Sequence, residues 1–496
     1  MSARKNALLE LARHSSVYAV GNLLAKLASF LMLPLYTAYL TPFDYGVLDI
    51  VETTAGMIGL VLGFGMASSL GRFYFDSDDA EVRKRTVSTA IALASVSAVV
   101  IIGLSIPVSG PLVRLLFGAK VDSSVLVWAM CAIGVGLVAD LGNIYLRLVN
   151  RSVLYVGISL ANMIIGIGLN VYFIVGLKLG VLGILYSSVI TKVIVGLPPI
   201  FWILRKVGMR VDRAIAASMY RYGAPLMPSE LASVAIGYSD RYFINGFLST
   251  ADAGIYGMAQ KLGTVLHYLV SSPFLTAFMT QRFEIGQRTD APPILATAFR
   301  YHMVVLIVLS CGLSLYAYDV LRIMTASEFW SAGPLIPMVT MAMVVLGAKY
   351  HFEYGILRSK QTHLHMYVNL TSTALHVALN FVLIRYLGLW GALIATIIAY
   401  SIKCGGYLAF SQRLYRIPFQ WARLLAFAAV GYIIAYLGAR ITLPHFWSLA
   451  AKSPLFVIAT LAPLAMGLVS KAEISKAWAL VRSRVIRSPE PGGRAS

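Results

Sequence analysis

Long apolar runs recur along the whole chain and are separated by short polar connections. Each run holds about twenty residues, the length that an α-helix needs to cross the hydrocarbon core of a bilayer. Fourteen runs of this kind predict an all-α integral membrane protein. They lie at about 15–40, 46–70, 86–107, 124–146, 153–176, 181–204, 218–240, 253–280, 295–318, 332–357, 362–386, 389–411, 423–440 and 453–470.

Composition and charge agree with a location in the bilayer. Of the 496 residues, 58% are hydrophobic and 12% are charged, whereas about a quarter of the residues of a soluble domain are charged. The net charge of +20 comes from Lys and Arg placed mainly in alternate connections, 27 on the side of the N-terminus against 8 on the other side. The positive-inside rule therefore predicts cytoplasmic termini, and nucleic acid is not an expected partner.

Two halves of the chain resemble each other. Leu40–Leu48 aligns with Leu248–Tyr256, Leu115–Ala119 with Ile323–Ser327, and the run after Leu169 with the run after Leu379. The offset stays between 208 and 210 residues. Each half holds six predicted spans, so both halves have the same orientation, with an expected twofold axis along the membrane normal and a site between the lobes. The predicted units are a lobe at 1–210, a second lobe at 211–415, two extra spans at 416–472 and a cytoplasmic tail at 473–496.

Charged residues inside the apolar runs fall at equivalent places in the two lobes. Such residues are costly in hydrocarbon and usually face a cavity or each other. They include Lys26 and Glu230 on the first helices, Glu52 and Lys261 on the second, Asp140 and Lys349 on the fourth, and Lys192 on the sixth helix of the first lobe. A shared central cavity is one interpretation, and pairing of acids with bases to brace the bundle is the other. Arg72 lies at a cytoplasmic helix end, where reaching the headgroups is the alternative to binding.

Several kinds of chemistry are not indicated. Cys131, Cys311 and Cys404 lie far apart in apolar runs, and the histidines lack metal-ligand spacing. The sequence contains no nucleophile elbow and no P-loop, so we predict no enzymatic activity, no metal and no cofactor. A membrane polymerase or ligase acting on a glycolipid is the hypothesis from the enzyme class, but the outward connections near 107–123 and 441–452 are short for a catalytic loop.

Several motifs together resemble a known family. Pro34–Tyr36, the segment from Leu40 to Gly46, Gly71–Tyr74, and the stretch from Gly223 through Ser239–Arg241 to Tyr256 are similar to bacterial polysaccharide-transporter proteins. These are the O-antigen and exopolysaccharide repeat-unit flippases of the multidrug/oligosaccharidyl-lipid/polysaccharide superfamily.

The resemblance implies a MATE-like V-shaped bundle of two six-helix lobes plus two C-terminal helices. It further implies alternating-access movement of undecaprenyl-diphosphate-linked oligosaccharide across the bacterial inner membrane for surface polysaccharide biosynthesis, with a polymerase or export complex as an expected partner. The implied substrate-binding candidates are Lys26, Lys192, Lys261, Lys349 and Arg72, and the implied coupling-ion candidates are Glu52, Glu230 and Asp140.

An alternative within transport is a cation-coupled exporter of drugs or small solutes from the same superfamily. Such exporters usually lack the last two spans, so spans thirteen and fourteen favour the flippase.

Overall fold

The computed structural model describes residues 30–475 except 442, 444, 471 and 474. Regular structure within these residues is helical throughout. Twenty α-helices, α1 to α20, follow in chain order: Leu33–Tyr39, Pro42–Leu62, Met66–Phe73, Ala80–Phe117, Ser124–Leu148, Ser152–Val171, Gly180–Thr191, Leu197–Val207, Arg213–Gly223, Met227–Phe247, Thr250–Leu266, Ser272–Ile285, Ala291–Leu315, Ala317–Met324, Ile336–Phe352, Tyr354–Arg358, Thr362–Leu387, Leu389–Leu414, Trp421–Ala439 and His445–Ala465. Short π or 3-10 turns join several of them into longer rods.

Eleven helical rods among the described residues are long and apolar enough to cross a membrane. They correspond to predicted spans two to six and nine to fourteen, so the all-α membrane fold is confirmed, whereas the count of fourteen is not. The first predicted span lies mostly before residue 30. The seventh and eighth, seen as α9–α10 and α11–α12, carry Glu230, Asp240, Arg241 and Lys261, whose charges lower the hydropathy of those rods.

Equivalent caps begin the second helix of each half. Thr41 precedes α2, where its hydroxyl accepts a hydrogen bond from the Asp44 backbone N–H at 3.2 Å. Ser249 precedes α11 and accepts from the Asp252 backbone N–H at 3.0 Å. Each cap satisfies an N–H group that a helix start leaves without a partner. The repeat seen in the sequence therefore reappears as local structure at the same offset.

The two halves cross closely where α2 and α11 begin, which we call the Pro42 end of the bundle. A Cβ atom on Gly46 would lie 1.9 Å from the Thr250 carbonyl oxygen, and one on Gly254 would lie 1.9 Å from the Pro42 carbonyl oxygen. Thr250 and Gly254 are the repeat counterparts of Pro42 and Gly46. Each contact therefore occurs twice, with the roles of the two halves exchanged. This is the pattern that a twofold axis between α2 and α11 produces.

A second reciprocal pair of contacts lies at the same end. The Thr37 hydroxyl accepts a hydrogen bond from the Ala326 backbone N–H at 3.2 Å. At the related position, the Asn245 amide donates to the Leu116 carbonyl at 2.6 Å. Thr37 and Asn245 are again counterparts in the repeat. These contacts and the glycine crossing form what we call the seam between the lobes.

The opposite end of α2 also touches the second lobe. Phe64 and Gly65 have φ values of 45° and 61°, which break the rod between α2 and α3. A Cβ atom on Gly223 would lie 2.1 Å from the Phe64 carbonyl oxygen, and the Ser69 hydroxyl donates to the Met219 carbonyl at 3.1 Å. We call this region the Phe64 end.

The last two helices, α19 and α20, pack on the second lobe through polar contacts. The Tyr432 hydroxyl lies 2.5 Å from the Ser310 hydroxyl and 3.3 Å from the Thr340 hydroxyl. Lys452 and Asp319 form a buried ion pair at 2.6 Å. These helices are therefore joined specifically to α13, α14 and α15.

Substitution of Tyr432 by Phe is expected to loosen α19. It removes a hydroxyl bonded inside the bundle, and interhelical hydrogen bonds in membranes are worth about 0.6–2 kcal/mol. The midpoint of thermal unfolding in detergent should fall. Tyr436→Phe is the matched control, because Tyr436 is 62% exposed and its hydroxyl meets only Arg440 of the same helix among the described residues. Equal midpoints for the two variants would contradict the expectation.

Candidate functional site: a cavity between the lobes

A cavity of about 600 Å³ lies between the lobes. Its walls come from α2 of the first half and from α10, α11, α15 and α18 of the second, with the end of the first predicted span. At about 1.5 Å per helical residue, its lining begins about 5 Å below the Pro42 end, at Tyr45, and reaches about 27 Å, at Tyr268. The volume falls within the usual range of ligand sites, about 300–1,000 Å³.

A buried ionic cluster closes the cavity towards the Pro42 end. Arg241 Nε donates to Asp49 Oδ2 at 2.5 Å, and Arg241 Nη1 donates to Asp240 Oδ1 at 3.1 Å. The Tyr256 hydroxyl donates to the other Asp240 oxygen, and Gln260 Nε2 donates to the Tyr256 oxygen at 2.7 Å. We call these five residues the Arg241 cluster. It joins the two lobes, because Asp49 belongs to α2 and the other four to α10 and α11.

Asp240 and Arg241 stand at the outer end of the predicted span 218–240, a position from which the sequence predicts an interfacial anchor or a local ion pair. The structure instead buries both side chains inside the bundle and adds Asp49 from the other lobe. No local pattern marks this contact, since 192 residues separate its partners. The sequence signal for it is limited to the spacing of Asp49 and Glu52, which puts two acids about one turn apart on the same face of α2.

Lys261 lines the cavity from α11 and is held by aromatic rings. Its ammonium nitrogen lies 5.5 Å from the ring centroids of Tyr36 and Tyr45, within the range of cation–π attraction. Within the part of the chain that the structure describes, no carboxylate lies within ion-pair distance of it. Glu52 and Asp49 act on Lys261 at longer range. Lys261 is thus a cavity cation with capacity to bind an anion.

Glu52 lines the same cavity from α2 and is exposed to it. Between residues 30 and 475, no described side chain makes a hydrogen bond or ion pair with Glu52. The structure therefore brings Glu52 and Lys261, two of the predicted site residues, to one cavity.

Lys192 and Asp140 lie inside the first lobe and do not line this cavity. Lys192 begins a π-helical turn, and its ammonium donates to the Ala132 carbonyl at 2.9 Å. Asp140 interacts with Asn143 of its own helix, and its charge acts on Lys192. In this structure, both residues have partners within their own lobe.

Lys349 of α15 pairs with Glu353, the residue that follows this helix, at 3.4 Å. Glu353 also lies 3.8 Å from Arg282 and 3.4 Å from His365. We call these four residues the Glu353 cluster. Lys349 is consequently engaged by an acid outside the lining of the cavity.

The remaining candidates lie away from the cavity or outside the described residues. The Arg72 guanidinium stacks on the Tyr222 ring at 4.9 Å, near the Phe64 end. Glu230 is exposed in the first turn of α10 and has no ion pair with another described residue. Lys26 falls before residue 30 and is outside the described residues. No group of three or more metal-ligating side chains occurs among the residues that were placed.

Aromatic side chains supply much of the remaining cavity wall. Tyr238, Tyr268, Tyr350 and Tyr400 line it together with His267. Tyrosine offers a flat apolar face and a hydroxyl, the combination that suits ligands with both hydroxyl groups and apolar ring faces. The sequence alone does not single out these tyrosines, because the helix face that each one occupies is set by packing.

Comparison with solved structures identifies the fold. The lipid II flippase MurJ in an inward closed conformation matches with a TM-score of 0.73 over 95% of this chain and 99% of that protein, at 14% identity. An inward-facing multidrug resistance MATE transporter matches with a TM-score of 0.63 over 78% and 94%, at 16% identity. A transporter from Pyrococcus furiosus, described as having a binding pocket of reverse polarity, matches with a TM-score of 0.54 over 82% and 95%, at 17% identity. The fold is that of the multidrug/oligosaccharidyl-lipid/polysaccharide superfamily of membrane transporters.

The sequence itself places the chain more narrowly. The model of the family described as polysaccharide biosynthesis protein matches residues 11–279, more than half of the chain. The chain belongs to this family. No curated protein sequence matches it significantly.

Proposed function

We propose that this protein moves undecaprenyl-diphosphate-linked oligosaccharide repeat units across the bacterial inner membrane. The observation that carries the proposal is Lys261, a cation held by two tyrosine rings on an interlobe cavity, with no described carboxylate within ion-pair distance. Family membership supports a role in polysaccharide biosynthesis. The similarity to a lipid II flippase supports a lipid-linked substrate.

Lys261 is the proposed diphosphate ligand. A compact ammonium group in a site screened from water attracts an anion far more strongly than the same group on an open surface. The cavity tyrosines are the proposed contacts of the sugar rings. Lys26, Lys192, Lys349 and Arg72 stay secondary candidates, to be engaged only if a change of conformation frees or exposes them.

Alternating access is the proposed mechanism, with the lobes rocking about the twofold axis. The seam closes the Pro42 end, and the alternation of basic connections predicts that this end faces the periplasm. Glu52 is the leading coupling-ion candidate because it lines the cavity without a described partner. Glu230 and Asp140 rank below it because they lie outside the cavity lining.

Export of a small cationic solute is the second candidate function. Three acids on the cavity, Asp49, Glu52 and Asp240, favour it, as does the similarity to a multidrug transporter. A dye-efflux assay in cells expressing the protein separates the two functions, since only the exporter should lower the accumulation of a cationic dye.

The Lys261→Ala variant is expected to lose translocation. A hydrogen bond to a charged group is worth about 1.5–3 kcal/mol, which corresponds to a roughly ten- to 150-fold lower flux. In a strain lacking the chromosomal copy, surface polysaccharide should fall and lipid-linked oligosaccharide should accumulate in the cytoplasmic leaflet at matched protein levels. Lys261→Arg, which keeps the charge, should restore part of the flux.

Lys192→Ala is the matched control for this prediction. It removes another lysine from an apolar rod, but one whose ammonium is bonded to a carbonyl away from the cavity. Normal flux in Lys261→Ala would remove Lys261 from the substrate path. An equal loss in Lys192→Ala would show that the cavity position of Lys261 does not distinguish it from this secondary candidate. Unchanged surface glycan after deletion of the whole gene would contradict the proposed function.

A further inference from the structure

The ion pair between Asp49 and Arg241 is made on one side of the twofold axis only. The repeat offset relates Asp49 to Gly257 and Arg241 to Leu33, which cannot form an ion pair. The glycine crossing and the hydrogen bonds of Thr37 and Asn245 occur twice, once on each side. The seam is therefore closed by symmetric contacts, and the ion pair is an additional contact that the symmetry does not require.

Gly257 leaves the space that Asp49 occupies. A Cβ atom on Gly257 would lie 2.9 Å from Asp49 Oδ2. Gly257, the repeat counterpart of Asp49, thus has no side chain that would keep the Asp49 carboxylate from passing α11 and reaching Arg241. A larger residue there would displace the carboxylate.

The two carboxylates hold Arg241 unequally. Asp240 is 2% exposed and accepts from the Arg241 backbone N–H at 2.9 Å, from Arg241 Nη1 and from the Tyr256 hydroxyl, all in its own lobe. The side chain of Asp49 is 24% exposed, and its one hydrogen-bond donor among the described residues is Arg241 Nε. When the lobes separate, Arg241 therefore stays with Asp240, and Asp49 is the partner that leaves.

Arg241 also presents an unused donor. Its Nη2 group makes no hydrogen bond within the described residues, and the guanidinium lies 4.7 Å from the Tyr238 ring on the cavity wall. The Asp49 charge acts on both Arg241 and Lys261. An anion with several oxygens that replaces the Asp49 carboxylate can accept hydrogen bonds from the Arg241 guanidinium. It also remains close enough to be attracted by the Lys261 charge. Phosphate groups suit the planar guanidinium, which binds two oxygens at once.

We propose that the Asp49–Arg241 ion pair is a latch that keeps the Pro42 end shut in the unloaded protein, and that a phosphate-bearing group in the cavity opens it by replacing Asp49 on Arg241. The identity of that group as the diphosphate of a lipid-linked sugar rests on the proposed function. The latch links opening to loading, since an unloaded cavity supplies no mobile anion that could replace Asp49 on Arg241.

Distances across the Pro42 end test the latch without a transport assay. Tyr39 and Phe247 are counterparts in the repeat, flank the seam and are 46% and 38% exposed. Spin labels on Tyr39→Cys and Phe247→Cys, in a chain whose three native cysteines are serines, report the separation of the lobes by double electron–electron resonance in nanodiscs. The probes are inorganic pyrophosphate and, separately, undecaprenyl diphosphate in the lipid.

The labelled protein with Asp49 and Gly257 unchanged should show only the short spin-label distance. A longer distance should appear when a probe is added. Asp49→Asn should raise the open fraction at least about fivefold without any probe, the lower range of measured coupling between sites. It should respond little to further addition of either probe. Opening by both probes assigns the trigger to the phosphate chemistry, and opening by the lipid form alone assigns it to the lipid-linked source; either supports the latch.

Gly257→Ala provides a second route to the same state without a change of charge, because its Cβ displaces the Asp49 carboxylate. Gly56→Ala is its control. Gly56 lies on the same helix as Asp49, and a Cβ atom there meets no atom within 4 Å. The proposal is overturned if Asp49→Asn and Gly257→Ala both stay closed, or if neither probe opens the unmodified latch. A functioning latch in a protein whose deletion leaves surface glycan normal would retain this proposal and reject the proposed function.

Discussion

Gly46→Val is expected to prevent closure of the Pro42 end and to abolish alternating access. A Cβ atom at this position would lie 1.9 Å from the Thr250 carbonyl oxygen and 3.0 Å from the Gly254 nitrogen, both of them backbone atoms that cannot turn aside. Overpacking of a tight contact costs about 1–3 kcal/mol or more, which lowers the closed fraction roughly five- to 150-fold. The predicted result is loss of surface polysaccharide at normal protein abundance, with the Tyr39–Phe247 spin-label distance shifted to the open value.

Gly56→Val is the matched control on the same helix, because a side chain at Gly56 enters open space. The twofold relation adds an internal test. Gly254→Val should reproduce the Gly46→Val defect, since a Cβ on Gly254 meets the Pro42 carbonyl at the same 1.9 Å. Normal transport by Gly46→Val, or a defect equal to that of Gly56→Val, would show that the glycine crossing is not required.

Glu353→Ala is expected to cause the largest loss of stability. Glu353 and Arg282 are buried, with side chains 5% and 2% exposed, and Lys349 and His365 also contact Glu353. Removing the one acid of the Glu353 cluster leaves cations in a low-dielectric region without compensation, which typically costs about 3–5 kcal/mol. Lys403, another buried lysine, lies within the field of this cluster and adds to the excess positive charge.

Thermal unfolding in detergent and yield after purification measure this effect. Glu230→Ala is the matched control, an exposed acid without an ion pair to another described residue. We expect a clear fall in the unfolding midpoint for Glu353→Ala and little change for Glu230→Ala. Similar midpoints would show that the Glu353 cluster does not stabilise the fold. Lys349 would then again be a candidate for substrate binding.

The cavity and the seam place the proposed steps of transport in one part of the molecule. Lys261 and the tyrosines form the proposed binding wall, and the Arg241 cluster lies between that wall and the Pro42 end. Binding and gating therefore share charged groups. This arrangement explains physically how an anionic substrate can influence the contact between the lobes, since the Asp49 charge acts on both Arg241 and Lys261.

Sequence patterns were enough to predict the membrane class, the position of most spans and the relation between the halves. Hydropathy is a local property, so runs such as 124–146 match the observed Ser124–Leu148 within two residues. The constant repeat offset also relates the contacts at the axis to one another once the structure shows them. Gly46 meets the Thr250 carbonyl, and its counterpart Gly254 meets the Pro42 carbonyl.

The tertiary structure alone decided what each charged residue contacts. Depth in the membrane follows from position along a helix, but the direction of a side chain follows from the rotation of that helix against its neighbours. Lys192 and Lys261 are both lysines inside predicted apolar spans, yet one ammonium bonds a carbonyl in its own lobe and the other faces the cavity. The Asp49–Arg241 contact joins residues 192 positions apart. No local pattern records it, because it exists only where two packed lobes bring opposite charges together.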